Sequence, residues 1–375
     1  MEEEDVIPML DQNGGDGTYY SKIARSPRMP YRKATKVAVF VLLIILMYAF
    51  LSLIFHLRGL TSPFPAYDPR PINLPTEAGD GSLIYQLAVV TDLDHDSKTA
   101  DSHWRSYMRR GRLVVPSDWS KVSVDWDKKQ DISLQSDIST GGRAMELSDL
   151  VVFDRHLLTV DDRTGIVYRV QPPMGDSLVV PWLILADGPG NVTKPLKGEW
   201  MTVKDQHLYI GGLGKEWTNE KGEYINDHPM WVKRVDSAGR VEHLPWVEIY
   251  KEVRRALGIE FPGKWFFLPR RVSHEIYNEE ADEGRGSNIL IIADEFFSSI
   301  EVVRIGKSNS PSPKGFSAFQ FVPSTGDGLI VALKSEEKDG HPVGSFITVF
   351  DIQGNVFLPD QPLSGAYKFE GLAIL

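Results

Sequence analysis

Four positions along the chain join an oxygen-bearing side chain to the start of an alternating apolar run: Ser148 with Asp149 beside it, Glu199, Ser317 and Glu370. Their separations are 51, 118 and 53 residues. The middle interval is close to two of the outer ones, so the spacing predicts a repeat of a little over fifty residues with one register unaccounted for. Such a repeat is the mark of propeller blades, whose innermost strands line a central channel. Carboxylates and hydroxyls converging there suit a hard cation such as calcium, which takes about six to eight oxygens from side chains, carbonyls and water. Taken singly, each residue is better explained by the turn that precedes a strand. Their shared spacing is what favours a metal.

Thr91-Asp92-Leu93-Asp94 follows the apolar run Tyr85 to Val90. Asp92 and Asp94 suit a water-positioning base or support for a metal, while Asp is also an ordinary strand terminator, and both readings stay open. Arg270 and Arg271 follow Phe266-Phe267-Leu268-Pro269. Two guanidiniums there can form a fork for phosphate oxygens, with Lys334 as a further candidate; the alternative is a solvated turn or an ion pair. Other chemistries are excluded. The chain has no cysteine, its 9 histidines show no HExxH spacing, and it has no Gly-x-Ser-x-Gly. Lys215 in Gly211-Gly212-Leu213-Gly214-Lys215-Glu216-Trp217 lacks the spacing and hydroxyl of a phosphate loop. With 51 Asp and Glu against 41 Lys and Arg, the balance is acidic and argues against nucleic acid as a partner.

The elements that must position these groups read as strands. Short apolar runs recur at Leu157 to Val160, Ile166 to Val170, Leu208 to Ile210, Leu290 to Ala293, Leu329 to Leu333 and Phe346 to Phe350, between turns such as Asp162-Arg163-Thr164-Gly165 and Asp187-Gly188-Pro189-Gly190. Trp246 to Leu257 is the best helical candidate in this region. The 293 residues from Leu83 to Leu375 divide into about five repeats. The expected fold is therefore an all-β, five-bladed propeller over residues 83–375, with a β-sandwich as the alternative.

Upstream, Val37 to Phe55 is nineteen residues without a charge, approaching the roughly 30 Å hydrocarbon thickness as a helix. Lys22, Arg25, Arg28, Arg32, Lys33 and Lys36 precede it. This predicts a signal anchor at 37–55, a cytosolic tail at 1–36, and a non-cytosolic remainder. The single sequon, Asn191-Val192-Thr193, fits that side weakly. Residues 56–82, rich in proline, read as an extended stem.

Leu147-Ser148-Asp149-Leu150, the run Val160 to Tyr168, Gly198-Glu199-Trp200, Gly211 to Thr218, Trp265 to Arg271 and Ile330 to Glu337 resemble the calcium-activated nucleotidases, the soluble-type apyrases, from about Tyr85 to Leu375. The resemblance implies a five-bladed propeller with calcium on its axis, held at the positions matching Ser148, Asp149, Glu199, Ser317 and Glu370. It also implies hydrolysis of nucleoside diphosphates, UDP and GDP before ADP, to monophosphate and phosphate. Vertebrate family members are anchored or secreted in the endoplasmic reticulum and Golgi, where removal of UDP supports glycan and proteoglycan synthesis. A homodimer and a secreted form released by stem cleavage are allowed for. There is one departure: the family carries a His-Glu-Ser stretch, whose Glu is a calcium ligand, where this chain passes from Gly263 through Lys264 to Trp265. Glu260 and Glu275 are no obvious replacement. The expected alternatives are a noncatalytic calcium-binding propeller and, less favoured because no candidate ligand is His, an ester or lactone hydrolase.

Overall fold

The computed structural model describes residues 31–60, 66–99, 103–128, 131–171, 179–219, 223–255, 265–272, 281, 283–294, 297–307, 312–339 and 341–375. Two units are separable, residues 1–63 and 64–375. The first contains helix α1, Tyr31–Leu60, which includes the expected anchor. Its described side chains run from Val39 to Leu53 and are exposed. Among the described residues no helix is long and apolar enough to cross a membrane, so the anchor expected at 37–55 finds no support here.

The second unit is all-β, five antiparallel sheets arranged as propeller blades. Blade one contains β1 (Thr76–Glu77), β2 (Leu83–Asp92), β3 (Trp104–Val115), β4 (Ser123–Trp126) and β5 (Ile132–Ser136). Blade two is β6 (Leu147–Phe153), β7 (His156–Asp161), β8 (Ile166–Val170) and β9 (Val179–Ile184). Blade three takes β10 (Trp200–Lys204) and β11 (His207–Gly211), detours through a hairpin of β12 (Trp217–Thr218) and β13 (Tyr224–Asn226), and resumes with β14 (Trp231–Val235) and β15 (Val241–Pro245). Helix α2, Val247–Arg255, follows where the sequence predicted one. Blade four is β16 (Trp265–Phe267), β17 (Ile289–Ala293) and β18 (Ile300–Arg304); blade five is β19 (Gly315–Phe321), β20 (Leu329–Lys338), β21 (His341–Asp351) and β22 (Val356–Pro362). The last strand, β23 (Lys368–Ile374), returns to pair with β2 and becomes the inner strand of blade one. This closes the ring without leaving the first sheet an open inner edge.

Strand alternation explains why the blades stack. Leu87 and Val89 of β2 pack with Val331, Leu333 and Val349 of blade five, whereas Ala88 and Val90 pack with Leu147, Leu150 and Tyr168 of blade two. Successive side chains leave opposite faces of a strand, and here both faces are covered, so the run is apolar throughout.

Blade four departs from this plan, having three strands among the described residues. Its junction at Gly263 and Lys264 lies outside the described residues, as do Glu260 and Glu275. Aromatic rings close the gap between blades three and four. Trp246 meets Trp265 edge-on at 5.0 Å and Phe297 at 5.8 Å, with Trp200 at 5.9 Å and Tyr209 at 6.3 Å behind it. Trp246→Ala is expected to cost about 3–5 kcal/mol by opening this cluster; a denaturant titration that leaves stability unchanged would refute it.

The expected stem is divided. His56 to Leu60 continue α1. Further on, the Tyr67 ring lies 5.3 Å from that of Phe153, the Asp68 amide donates to Asp154 Oδ1 at 2.7 Å, and Thr76–Glu77 pair with β2. Asn191 of the sequon is exposed.

Lys233 is fully buried in β14 opposite its cross-strand partner His243. Its ammonium donates to the Gly188 carbonyl and lies 3.0 Å from His243 Nδ1. Burial pushes Lys233 down to about 8 although Asp187 opposes the shift, and burial together with Lys233 lowers His243. A base with a lowered folded pKa contributes stability that is present above its ordinary pKa and is lost as pH falls towards the folded value. The His243 contribution should therefore be lost as pH falls below about 6.5, and between pH 7.5 and 5.5 the melting temperature of His243→Gln should fall less, or rise more, than that of wild type. An identical pH slope in wild type and variant would exclude His243 as a contributor.

Candidate active site

Three of the four residues selected by spacing sit at a register shift of an inner strand, and Glu199 immediately precedes the inner strand β10. Ser148 falls between the pairs Leu147↔Asp161 and Asp149↔Val160, Ser317 between Phe316↔Lys334 and Ala318↔Leu333, and Glu370 between Phe369↔Thr91 and Gly371↔Val90. The Glu199 amide donates to the Gly211 carbonyl at 2.8 Å, while Trp200 is the residue paired with Gly211. A bulge releases one residue from the ladder and re-aims it, and bulges are frequent beside active sites. Here the device recurs in three blades.

The pairing of β2 with β23 sets Lys368 directly opposite Asp92. Lys368 Nζ lies 2.7 Å from Asp92 Oδ2, 3.0 Å from Asp94 Oδ2, 3.6 Å from Glu337 Oε1 and 3.8 Å from Glu370 Oε1. Asp94 follows the end of β2 at a φ of 47°, a left-handed conformation that Asp tolerates, and its amide donates to Asp92 Oδ1 at 2.8 Å. Glu146, just ahead of β6, completes a trio: carboxylate oxygens of Asp92, Asp94 and Glu146 lie within 4.8 Å of one another. Arg143 grips Glu146 through Nε at 2.6 Å and Nη2 at 2.5 Å, and reaches Asp94 at 3.3 Å. Lys197 bridges Asp162 and Glu199, the latter at 2.8 Å. Arg270 donates to Glu370 through one nitrogen and to Glu337 through the other at 2.7 Å.

Burial dominates the electrostatics. It pushes Asp92 up to about 6 against the pull of Lys368, Glu146 up to about 7 against Arg143, and Asp162 up to about 9 against Lys197. Asp94 behaves differently: burial raises it, but Lys368 and Arg143 hold it below the usual carboxylate range. Lys368 is raised, because Glu370, Asp92 and Asp94 outweigh the burial that would discharge it.

Not every nominated residue is equally free. Both carboxylate oxygens of Asp149 accept backbone amides, Leu150 at 2.7 Å and Met201 at 2.6 Å, so it ties β6 to β10; burial still pushes it up to about 8. Ser317 Oγ donates to the Phe369 carbonyl at 2.9 Å. Arg271 reaches Glu337 at 3.4 Å. Lys334 binds Asn288 Oδ1 at 2.8 Å and Asp360 Oδ1 at 3.1 Å, partners outside the Lys368 cluster. Conversely, Ser148 Oγ and Asp162 Oδ1 are buried with no hydrogen-bond partner. Two orphaned oxygens beside an oxygen-only donor set fit a hard cation. Glu146, Asp162, Lys197, Glu337 and Lys368 escaped the sequence reading. Glu146 is a second acid, beside Asp149, at the same strand start as Ser148, and Glu337 and Asp162 lie within blocks already singled out, but no spacing marked Lys197 or Lys368.

The apyrase family profile matches residues 93–375. The chain belongs to the apyrase family. It is 51% identical to apyrase apy-1 of Caenorhabditis elegans over 78% of this chain and 85% of that protein. With soluble calcium-activated nucleotidase 1 of Rattus norvegicus it shares 43% identity over 82% of this chain and 78% of the relative, and with an apyrase of Cimex lectularius 37% over 84% and 88%. Membership of the apyrases supports hydrolysis of nucleotide phosphates, and the buried cations and carboxylates described above are suited to that chemistry: cations hold phosphoryl oxygens, and carboxylates orient water.

Proposed function

We propose that the chain hydrolyses nucleoside diphosphates, UDP and GDP foremost, to the monophosphate and phosphate in a calcium-dependent reaction. The observation that carries this reading is the convergence, on an apyrase-family propeller, of Asp92, Asp94 and Glu146 with Lys368 and Arg270 around the bulged inner strands. Oxygens of Ser148, Glu199, Ser317 and Glu370, with Asp149 behind them, would hold calcium, which when bound supplies neutralisation of phosphate charge. Asp92, the more basic of the pair, accepts a proton from the attacking water, and Asp94 orients it. Arg270 and Arg271 hold phosphate oxygens, with Lys334 in a supporting place. Anchoring through 37–55, a lumenal propeller in the endoplasmic reticulum or Golgi, service to glycosylation and proteoglycan synthesis, release by stem cleavage and homodimerisation complete the proposal.

Phosphate release from UDP and GDP by the purified full chain, in calcium, in magnesium and in chelator, tests it. Activity with calcium alone is expected, and equal rates in all three would overturn the calcium dependence. The passage from Gly263 through Lys264 to Trp265, without the family's His-Glu-Ser stretch, favours one second reading, a calcium-binding propeller without catalysis. That protein would melt at a calcium-dependent temperature yet release no phosphate.

A further inference from the structure

Four blades carry an oxygen-bearing residue at or just before the inner strand, three of them at a bulge, and the fourth blade brings a guanidinium. Deepening the calcium reading above, on which it rests, we propose that Arg270 is a resident counter-cation of the axis. It competes with a divalent ion for Glu370 and, once displaced, turns to the phosphate oxygens of the substrate.

The backbone at Arg270 is pinned beside the strand that carries Ser317. Its carbonyl accepts the Ser287 amide at 3.1 Å, and a Cβ added at Gly315 would come within 2.6 Å of that oxygen. From this fixed base one guanidinium nitrogen meets Glu370 and another meets Glu337 at 2.7 Å. Glu370 is one of the three bulge residues and is only 5% exposed, so its pairing with Arg270 neutralises a buried candidate ligand. Lys368 does not duplicate this role. It lies 3.8 Å from Glu370 but is anchored more closely by Asp92 and Asp94, so loss of Glu370 would leave it in place.

A guanidinium presents a planar fork of donors that fits carboxylate and phosphate alike. Exchange of Glu370 for a phosphoryl group therefore keeps the geometry and the charge pairing of Arg270. A cation entering among Glu370, Glu199 and Ser148 must first separate Glu370 from Arg270, which weakens binding of the ion. By the same linkage, the ion's arrival frees Arg270 for substrate, so ion and diphosphate reinforce one another.

The test is calorimetric titration of calcium into the full chain without nucleotide. It compares wild type, Arg270→Lys, Arg270→Gln and the double variant Arg270→Gln with Glu337→Gln, which preserves the charge balance should the single change unfold the protein. Removal of the competing charge should tighten calcium binding on the order of tenfold in the double variant, while Arg270→Lys stays near wild type. Calcium binding of equal strength in wild type and double variant overturns the inference and leaves the calcium reading intact. Absence of binding in every protein, the double variant included, overturns both. A non-hydrolysable uridine diphosphonate completes the test: calcium should strengthen its binding to wild type more than to the double variant, and equal enhancement overturns the hand-over of Arg270 to phosphate.

Discussion

Lys368→Met is expected to destabilise the protein by about 3–5 kcal/mol, because removal of one partner from a buried ion cluster leaves the others uncompensated. Lys368 is 9% exposed and stands within 3.0 Å of both Asp92 and Asp94, with Glu337 and Glu370 behind them. Without it these carboxylates are buried like charges, and their pKa values must rise. An acid with a raised folded pKa contributes stability that is present at low pH and lost as pH rises through that value. The variant should therefore be relatively more stable at pH 5 than at pH 8, and the gap to wild type should narrow on acidification. Arg at the same position keeps the charge and should recover part of the loss. Denaturant midpoints at the two pH values decide the matter: a pH-independent penalty would mean that Lys368 contributes packing and not charge.

Asp92→Asn should lower the rate of phosphate release by about 10²- to 10⁴-fold, the usual contribution of a positioned general base. Asn can still accept the Asp94 amide that now meets Asp92 Oδ1 at 2.8 Å, so the local turn should survive. Burial pushes Asp92 up to about 6, with Lys368 opposing and Glu370 and Asp94 adding to the rise, whereas Lys368 holds Asp94 low. The wild-type rate should accordingly fall as pH drops below about 6, where Asp92 takes up a proton. In Asp92→Asn that acid limb should disappear from the residual activity. Asp94→Asn should be milder and keep the limb. If Asp94→Asn is the more damaging change, the roles of the two acids are reversed.

Much of this was legible in the chain itself. The blade repeat showed because Ser148, Glu199, Ser317 and Glu370 each open an otherwise apolar run, at intervals of 51, 118 and 53 residues. Asp92 and Asp94 showed as paired acids at a strand end. Helix α2 announced itself through its apolar spacing. The long middle interval between Glu199 and Ser317 brackets a blade that has three strands among the described residues.

The pairing of the cations lay beyond that reading, and so did Lys368 itself. Lys368 is 274 residues from Asp94 and Arg270 is 100 from Glu370, so no local pattern records either pairing. Lys334, nominated with Arg271 for phosphate, looks the same in sequence as Lys368 but is taken by Asp360 and Asn288. Sequence alone determined the all-β propeller class, the four oxygen-bearing residues that open apolar runs and the acids at the end of β2, because strand periodicity and residue type are local properties. Only the closing of the ring decided which charges meet. It is the return of β23 to β2 that sets Lys368 against Asp92, and burial at that seam that separates the basicity of Asp92 from that of Asp94.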